Sequence, residues 1–304
     1  MQFGVKLGVD LPSDPDDLIE LATRVEALGF DSLWIGDHLV IPRQVDVSLH
    51  RAQVGGVEFG DKSNTNVFDP ILALTFLCTV TTRIRLGLSV LVIPYRDPIL
   101  TAKMLASLDV LSRGRLIVGA GVGWMRDEFD ALNLRYDERG KITDEYLDLM
   151  IELWTKEYPT FEGRYRSIDN VGFHPKPVQK PHPPIWIGGN GTAAMRRALR
   201  LGQGWMPNFQ SPHELRGKLH QLKEMLLEAG SDNPMPRVAV GCKLSSDPLP
   251  SQDSLSVTNQ RQLVDAVGAY EAIGVEMLVL LSPREPNLDT RLAPFEQFAS
   301  HLLT

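Results

Sequence analysis

Short apolar runs rich in Val, Ile and Leu alternate with longer segments of helical period along the whole chain. That alternation is how parallel βαβ units read, because a strand buried on both faces is continuously apolar and its crossover helix shows a period of 3.6. The pattern predicts strands at Phe3–Val9, Ser32–Gly36, Ile84–Ile93, Leu116–Ala120, Pro184–Gly188, Gly204–Met206, Arg237–Leu244 and Glu276–Leu281. Helix starts are marked by Ser13-Asp14-Pro15, Asp69-Pro70 and Asp97-Pro98, where a capping carboxylate precedes a proline suited to the first turn. Further helices are predicted near Lys141–Trp154, Pro212–Ala229, Asn259–Ile273 and Ala293–Leu303.

Eight such units favour closure into a (β/α)8 barrel, a TIM barrel of class α/β, over an open doubly wound sheet. The open-sheet alternative predicts Gly-x-Gly-x-x-Gly after the first strand, and Gly8-Val9-Asp10-Leu11-Pro12 does not supply it. A single domain over 1–304 is expected, with two insertions: Leu39 to Val67 after strand two, and Phe161 to Pro183, which contains a possible hairpin, before strand five. A loop as long as the first is usually functional.

Composition removes several alternatives. The formal net charge of −7 with scattered basic residues argues against a nucleic-acid or anionic-membrane surface and makes a small organic molecule the expected partner. No basic segment precedes an apolar run near the first residue, so a cytoplasmic location is expected. Cys78 and Cys242 lie in apolar patterns and read as buried thiols, and the seven histidines show no ligand spacing, so no metal site is expected.

In a barrel of this kind chemistry gathers in the loops after the strands. Asp37-His38 follows strand two and offers a group that titrates near neutrality, whereas a lone histidine is more often structural. Gly119, Gly121 and Gly123 alternate at the end of strand four, where backbone without side chains would admit a flat ring or a phosphate. Gly188-Gly189-Asn190-Gly191-Thr192 joins strand five to a helix and can present free N–H groups to an anion, although a plain capped turn reads equally well. Together these describe a site for a planar, phosphate-bearing cofactor.

The segments Leu33 to His38, Gly87 to Pro98, Gly114 to Trp124 and Pro184 to Gly191 resemble the bacterial luciferase-like monooxygenase superfamily, in order and over nearly the whole chain. Within it, Gly121 to Phe129 resembles the branch using the deazaflavin coenzyme F420, while other branches use reduced FMN. The resemblance implies that Asp37 and His38 lie near the reactive ring, His38 handling a substrate proton. It implies a non-prolyl cis peptide at Ser89-Val90 backing the ring, backbone contacts from Val122 and Gly123 to the cofactor tail, and a phosphate region at Gly188 to Thr192. In one respect the chain departs from the family: deazaflavin sugar-phosphate dehydrogenases carry Glu directly after Gly-x-Gly, where this chain has Trp124. Asp127 and Glu128 would lie about a helical turn away, and neither is assigned that role.

The leading expectation is therefore a hydride-transferring oxidoreductase using F420, with His38 as proton donor or acceptor. A two-component monooxygenase supplied with reduced FMN by a separate reductase is the second reading, and a flavin-binding protein without turnover the third. A homodimer formed through helices is expected by analogy.

Overall fold

The computed structural model describes residues 1–8, 11–43, 65–201, 203–230, 234–248, 254–281, 285 and 287–303. Its strands are β1 (Gln2–Leu7), β2 (Ser32–Ile35), β3 (Arg85–Leu88), β4 (Leu91–Val92), β5 (Leu116–Gly121), β6 (Phe161–Glu162), β7 (Ser167–Ile168), β8 (Ile185–Gly188), β9 (Gly204–Met206), β10 (Arg237–Ser245), β11 (Ser254–Ser256) and β12 (Met277–Leu281). The helices are α1 (Pro15–Ala27), α2 (Pro70–Leu77), α3 (Pro98–Leu111), α4 (Arg126–Ala131), α5 (Arg139–Thr155), α6 (Thr192–Leu201), α7 (Pro212–Glu228), α8 (Gln260–Glu271) and α9 (Leu288–Leu302).

Parallel pairing runs β10-β12-β1-β2-β3-β5-β8-β9 and returns from β9 to β10, which closes an eight-stranded barrel. The expected fold is the observed one. β6 and β7 form the hairpin expected before β8, and β11 adds a short strand beside β10 that the polar character of its segment hid. Most of the insertion after β2, residues 44–64, lies outside the described residues, as do Val9 and Asp10 at the expected end of the first strand.

The Asp-Pro signals perform as physics requires. The Asp69 carboxylate accepts from the N–H groups of Ile71 and Leu72, and Asp97 from Ile99 and Leu100. Each such cap stabilises its helix by about 1 kcal/mol. The last helix, α9, begins at Leu288 rather than near Ala293, because the Asn287 side chain accepts from Asp289 N–H and sets an earlier start.

Inside the barrel, size alternates. Trp34 and Trp186 lie 5.7 Å apart between ring centroids and pack with Ile117, Met206, Ala239, Met277 and Val279. Their bulk is accommodated by glycines on adjacent strands: a Cβ on Gly87 would stand 2.1 Å from Trp34, and one on Gly204 2.5 Å from Trp186. A packed core of this sort blocks the lower barrel and leaves the carboxyl-end rim for chemistry.

The strand expected to run unbroken from Ile84 to Ile93 is interrupted. β3 stops at Leu88, the Ser89-Val90 peptide is cis, as the resemblance implies, and β4 resumes against β5 at Leu91.

Candidate active site

His38 follows β2 directly after Gly36 and Asp37, and its side chain is 12% exposed. Its Nδ1 lies 2.8 Å from Glu128 Oε2. Glu128 stands in the first turn of α4 with its side chain only 1% exposed, and it also accepts from Tyr95 O–H at 2.9 Å and from the N–H groups of Leu39 and Val40 at 2.9 and 3.4 Å. A carboxylate receiving so many donors is an acceptor toward the imidazole too, so the Nδ1 proton points at Glu128 and Nε2 is left for other partners. Among the described residues Nε2 has none. Burial, with the facing Glu128 carboxylate, pushes the Tyr95 hydroxyl well above the ordinary tyrosine range, which keeps it a donor.

Glu128 is the residue that sequence reasoning passed over. Counting along an extended helix put it a turn away from the position after Gly-x-Gly. The chain instead reverses at Gly123, whose φ of +80° is the left-handed region, and carries the start of α4 back beneath the loop after β2. A Cβ on Gly123 would lie 2.7 Å from the Phe129 ring, so the turn needs glycine for space as well. Trp124 takes a different place, edge-on to the His38 ring with centroids 6.3 Å apart. The Gly123-Trp124 backbone is tied down by Arg139, which donates to Gly123 O, and by Tyr136 O–H, which donates to Trp124 O.

Asp37 is fully engaged. Arg96 donates to both of its oxygens at 2.7 and 2.9 Å, and Val92 N–H donates at 2.9 Å. Arg96 also reaches Asp69 at 2.7 Å, joining the α2 cap to the rim. The structure thus makes Asp37 an anchor for the turn that presents His38.

The glycines that end β5 and β8 surround one side chain. A Cβ on Gly121 would stand 2.2 Å from Val90 Cγ2, and one on Gly188 2.4 Å from Val90 Cγ1. Val90 therefore fills the space those glycines leave, and its half-buried methyl groups form an apolar wall at the mouth. Ser89 is buried behind it, its N–H bonded to Ile35 O.

The Gly188–Thr192 turn is pinned from β9. Trp205 Nε1–H donates to Gly189 O, and the Asn190 amide both accepts from Asn208 N–H and donates to Asn208 O. α6 behind it is held to α5 by Arg197, which bonds both oxygens of Asp144. In the first turn of α6 the N–H groups of Ala194 and Met195 bond Gly191 O, those of Thr192 and Ala193 before them have no intrahelical acceptor, and a Cβ on Gly191 would meet nothing within 4 Å, so the approach is open. These features fit a planar ring against Val90 and an anionic group before α6, which is the shape of a flavin-type cofactor.

A closed α/β barrel with an oriented His–Glu pair at its carboxyl rim has the architecture of a barrel enzyme. The chain belongs to the luciferase-like monooxygenase family, whose model matches residues 1–276. The Mycobacterium tuberculosis protein Rv0953c is 32% identical over 263 residues, covering 84% of this chain and 92% of that protein. The FMNH(2)-dependent dimethylsulfone monooxygenase of Pseudomonas putida is 31% identical over 130 residues, 42% of this chain and 36% of that enzyme. Among solved structures, an F420-dependent secondary alcohol dehydrogenase in complex with an F420-acetone adduct shares the fold at a TM-score of 0.77 and 20% identity, over 99% of this chain and 98% of that one. Among the described residues no helix is long and apolar enough to cross a membrane.

Proposed function

We propose that the protein transfers a hydride between coenzyme F420 and an organic substrate, with His38 as the proton donor or acceptor. The observation that carries this reading is the His38–Glu128 pair. Glu128 holds the imidazole at Nδ1, and Nε2 is left without a partner among the described residues. In the oxidative direction Nε2 takes the proton of a substrate hydroxyl as the carbonyl forms, and Glu128 stabilises the imidazolium through Nδ1–H; in the reductive direction the proton returns. When bound, F420 supplies or takes up the hydride. Val90 would back its ring, Val122 and Gly123 its tail, and the Gly188–Thr192 turn its phosphate.

A second reading, a monooxygenase using reduced FMN from a partner reductase, is favoured by the name of the Pseudomonas putida relative. Titrating the purified protein separately with F420 and FMN, followed by absorbance, separates the two. F420 is expected to bind about tenfold more tightly or better, a gap of about 1.4 kcal/mol. Gly191→Asp, which sets a carboxylate at the opening of α6, should weaken the preferred cofactor in a folded protein. Equal affinities, or tighter FMN, would make the monooxygenase the better reading.

A further inference from the structure

The carboxyl end of β1 carries a side chain that the chemistry above does not use. Phe3, Val5 and Leu7 pack into the outer core, so Gly4 and Lys6 face the barrel axis. The inward direction is clear at Gly4, where a Cβ would meet Ser32 Oγ and Trp34 Nε1 at 2.5 and 2.6 Å. Lys6 lies one inward position nearer the mouth. Its Cε is 4.0 Å from the place a Cβ would occupy on Gly36, and the Ser89 carbonyl oxygen is 3.4 Å from that same point. Gly36 leads directly into Asp37 and His38, so the lysine stem passes between the Ser89-Val90 wall and the base of the histidine turn.

Among the described residues no neighbour accounts for a cation there. Register sets Trp34 of β2 and Leu281 of β12 beside Lys6, and neither titrates. Asp37 is committed to Arg96 and Val92, and Glu128 to His38, Tyr95 and the loop backbone. Lys243 of β10 is a second cation rather than a counter-charge, its ammonium 5.1 Å from the Phe209 ring. Among the described residues no acceptor bonds Lys6 Nζ. Loss of water around it pushes the ammonium down to about 8. A group titrating there is still about nine-tenths protonated at pH 7. A half-buried ammonium with no acceptor among the described residues carries a desolvation cost, and an arriving anion offsets it.

We infer that Lys6 is the substrate-anchoring cation of this site and that the substrate is an organic acid, its carboxylate laid against Lys6 with the reacting carbon toward His38. This deepens the oxidoreductase reading and rests on it for the reaction, though not for the binding.

The test uses benzoate and hexanoate, each beside its primary amide, titrated into the protein without added cofactor. Binding is followed calorimetrically and by the resonances of reductively 13C-methylated lysines. At least one acid is expected to bind about tenfold more tightly than its amide near pH 6.5 and to move the Lys6 titration upward. Lys6→Met should abolish that preference and Lys6→Arg should keep it. The inference is overturned if neither acid is preferred, if the preference survives Lys6→Met, or if Lys6→Met weakens F420 or FMN while acid binding is untouched. Because the acid titration needs no cofactor, a failed F420 titration sinks the oxidoreductase reading and leaves this one standing.

Discussion

Glu128→Gln is the sharpest perturbation available, because it keeps the side-chain shape and changes only what the two oxygens can do. Glu128 Oε2 accepts from His38 Nδ1 and Tyr95 O–H, while Oε1 accepts from Leu39 and Val40 N–H. A glutamine must replace one acceptor by an NH2 group. Facing Leu39 and Val40, that group would meet two backbone donors that cannot turn. Facing the other way it meets a hydroxyl that can rotate and an imidazole that can move its proton, so the second arrangement wins. His38 then accepts at Nδ1 and carries its proton on Nε2, the inverse of its parental state. Charge-assisted hydrogen bonds are worth about 1.5–3 kcal/mol against about 0.5–1.5 for neutral ones, so weakening the set costs about 2 kcal/mol. In a chain of 304 residues that lowers Tm by roughly 3 °C. The inverted tautomer should cost about 10²–10⁴-fold in turnover. Long-range 1H–15N NMR correlations of histidine-labelled protein report the tautomer without any substrate. If His38 keeps its proton on Nδ1 in the folded variant, or already carries it on Nε2 in the parent, the dyad argument is refuted.

Three further outcomes are expected. Arg96→Met leaves the Asp37 carboxylate buried without its partner and should destabilise by about 3–5 kcal/mol in urea unfolding, with much of the loss recovered when Asp37→Asn is added. Gly121→Ala pushes a methyl into Val90 at 2.2 Å and should cost about 1–3 kcal/mol; the pair with Val90→Ala should be more stable than Gly121→Ala alone, and no rescue would mean that Val90 does not fill that space. Leu72 on α2 and Leu100 on α3 are 68% and 57% exposed, and we propose that they meet a second copy of the chain. Sedimentation should then show a dimer that Leu72→Asp with Leu100→Asp splits, and a monomeric parent would dismiss the proposal.

The architecture was readable because its signals are local. An Asp-Pro pair caps the helix it begins, and an apolar run of Val and Ile is a buried strand wherever it lies. The site was readable only as far as residues stand next to a strand end. His38 and the Gly188–Thr192 turn satisfy that condition. Glu128 does not, since its contact with His38 spans 90 residues and depends on the reversal at Gly123. Gly121 reads from sequence as backbone that admits a ring or phosphate and Gly188 as part of an N–H-presenting turn, and only tertiary packing reveals that Val90, between β3 and β4, packs against both. Lys6 falls in a strand whose pattern marks it only as the inward alternate, and its chemistry comes from the absence, among the described residues, of any partner around it.

The guanidinium of Arg96 holds Asp37 at one side and Asp69 at the other. Those two residues bracket the long excursion after β2, so one side chain from outside the excursion clasps both of its ends. The stretch between Val40 and Asp69 can then lengthen, shorten or change composition with its attachment points fixed, at a closure cost that grows by only about 0.6 kcal/mol for each doubling of length. The barrel thereby owns a socket for interchangeable segments: one transplanted between Val40 and Asp69 from another member of the fold would leave the histidine and its carboxylate partner where they are.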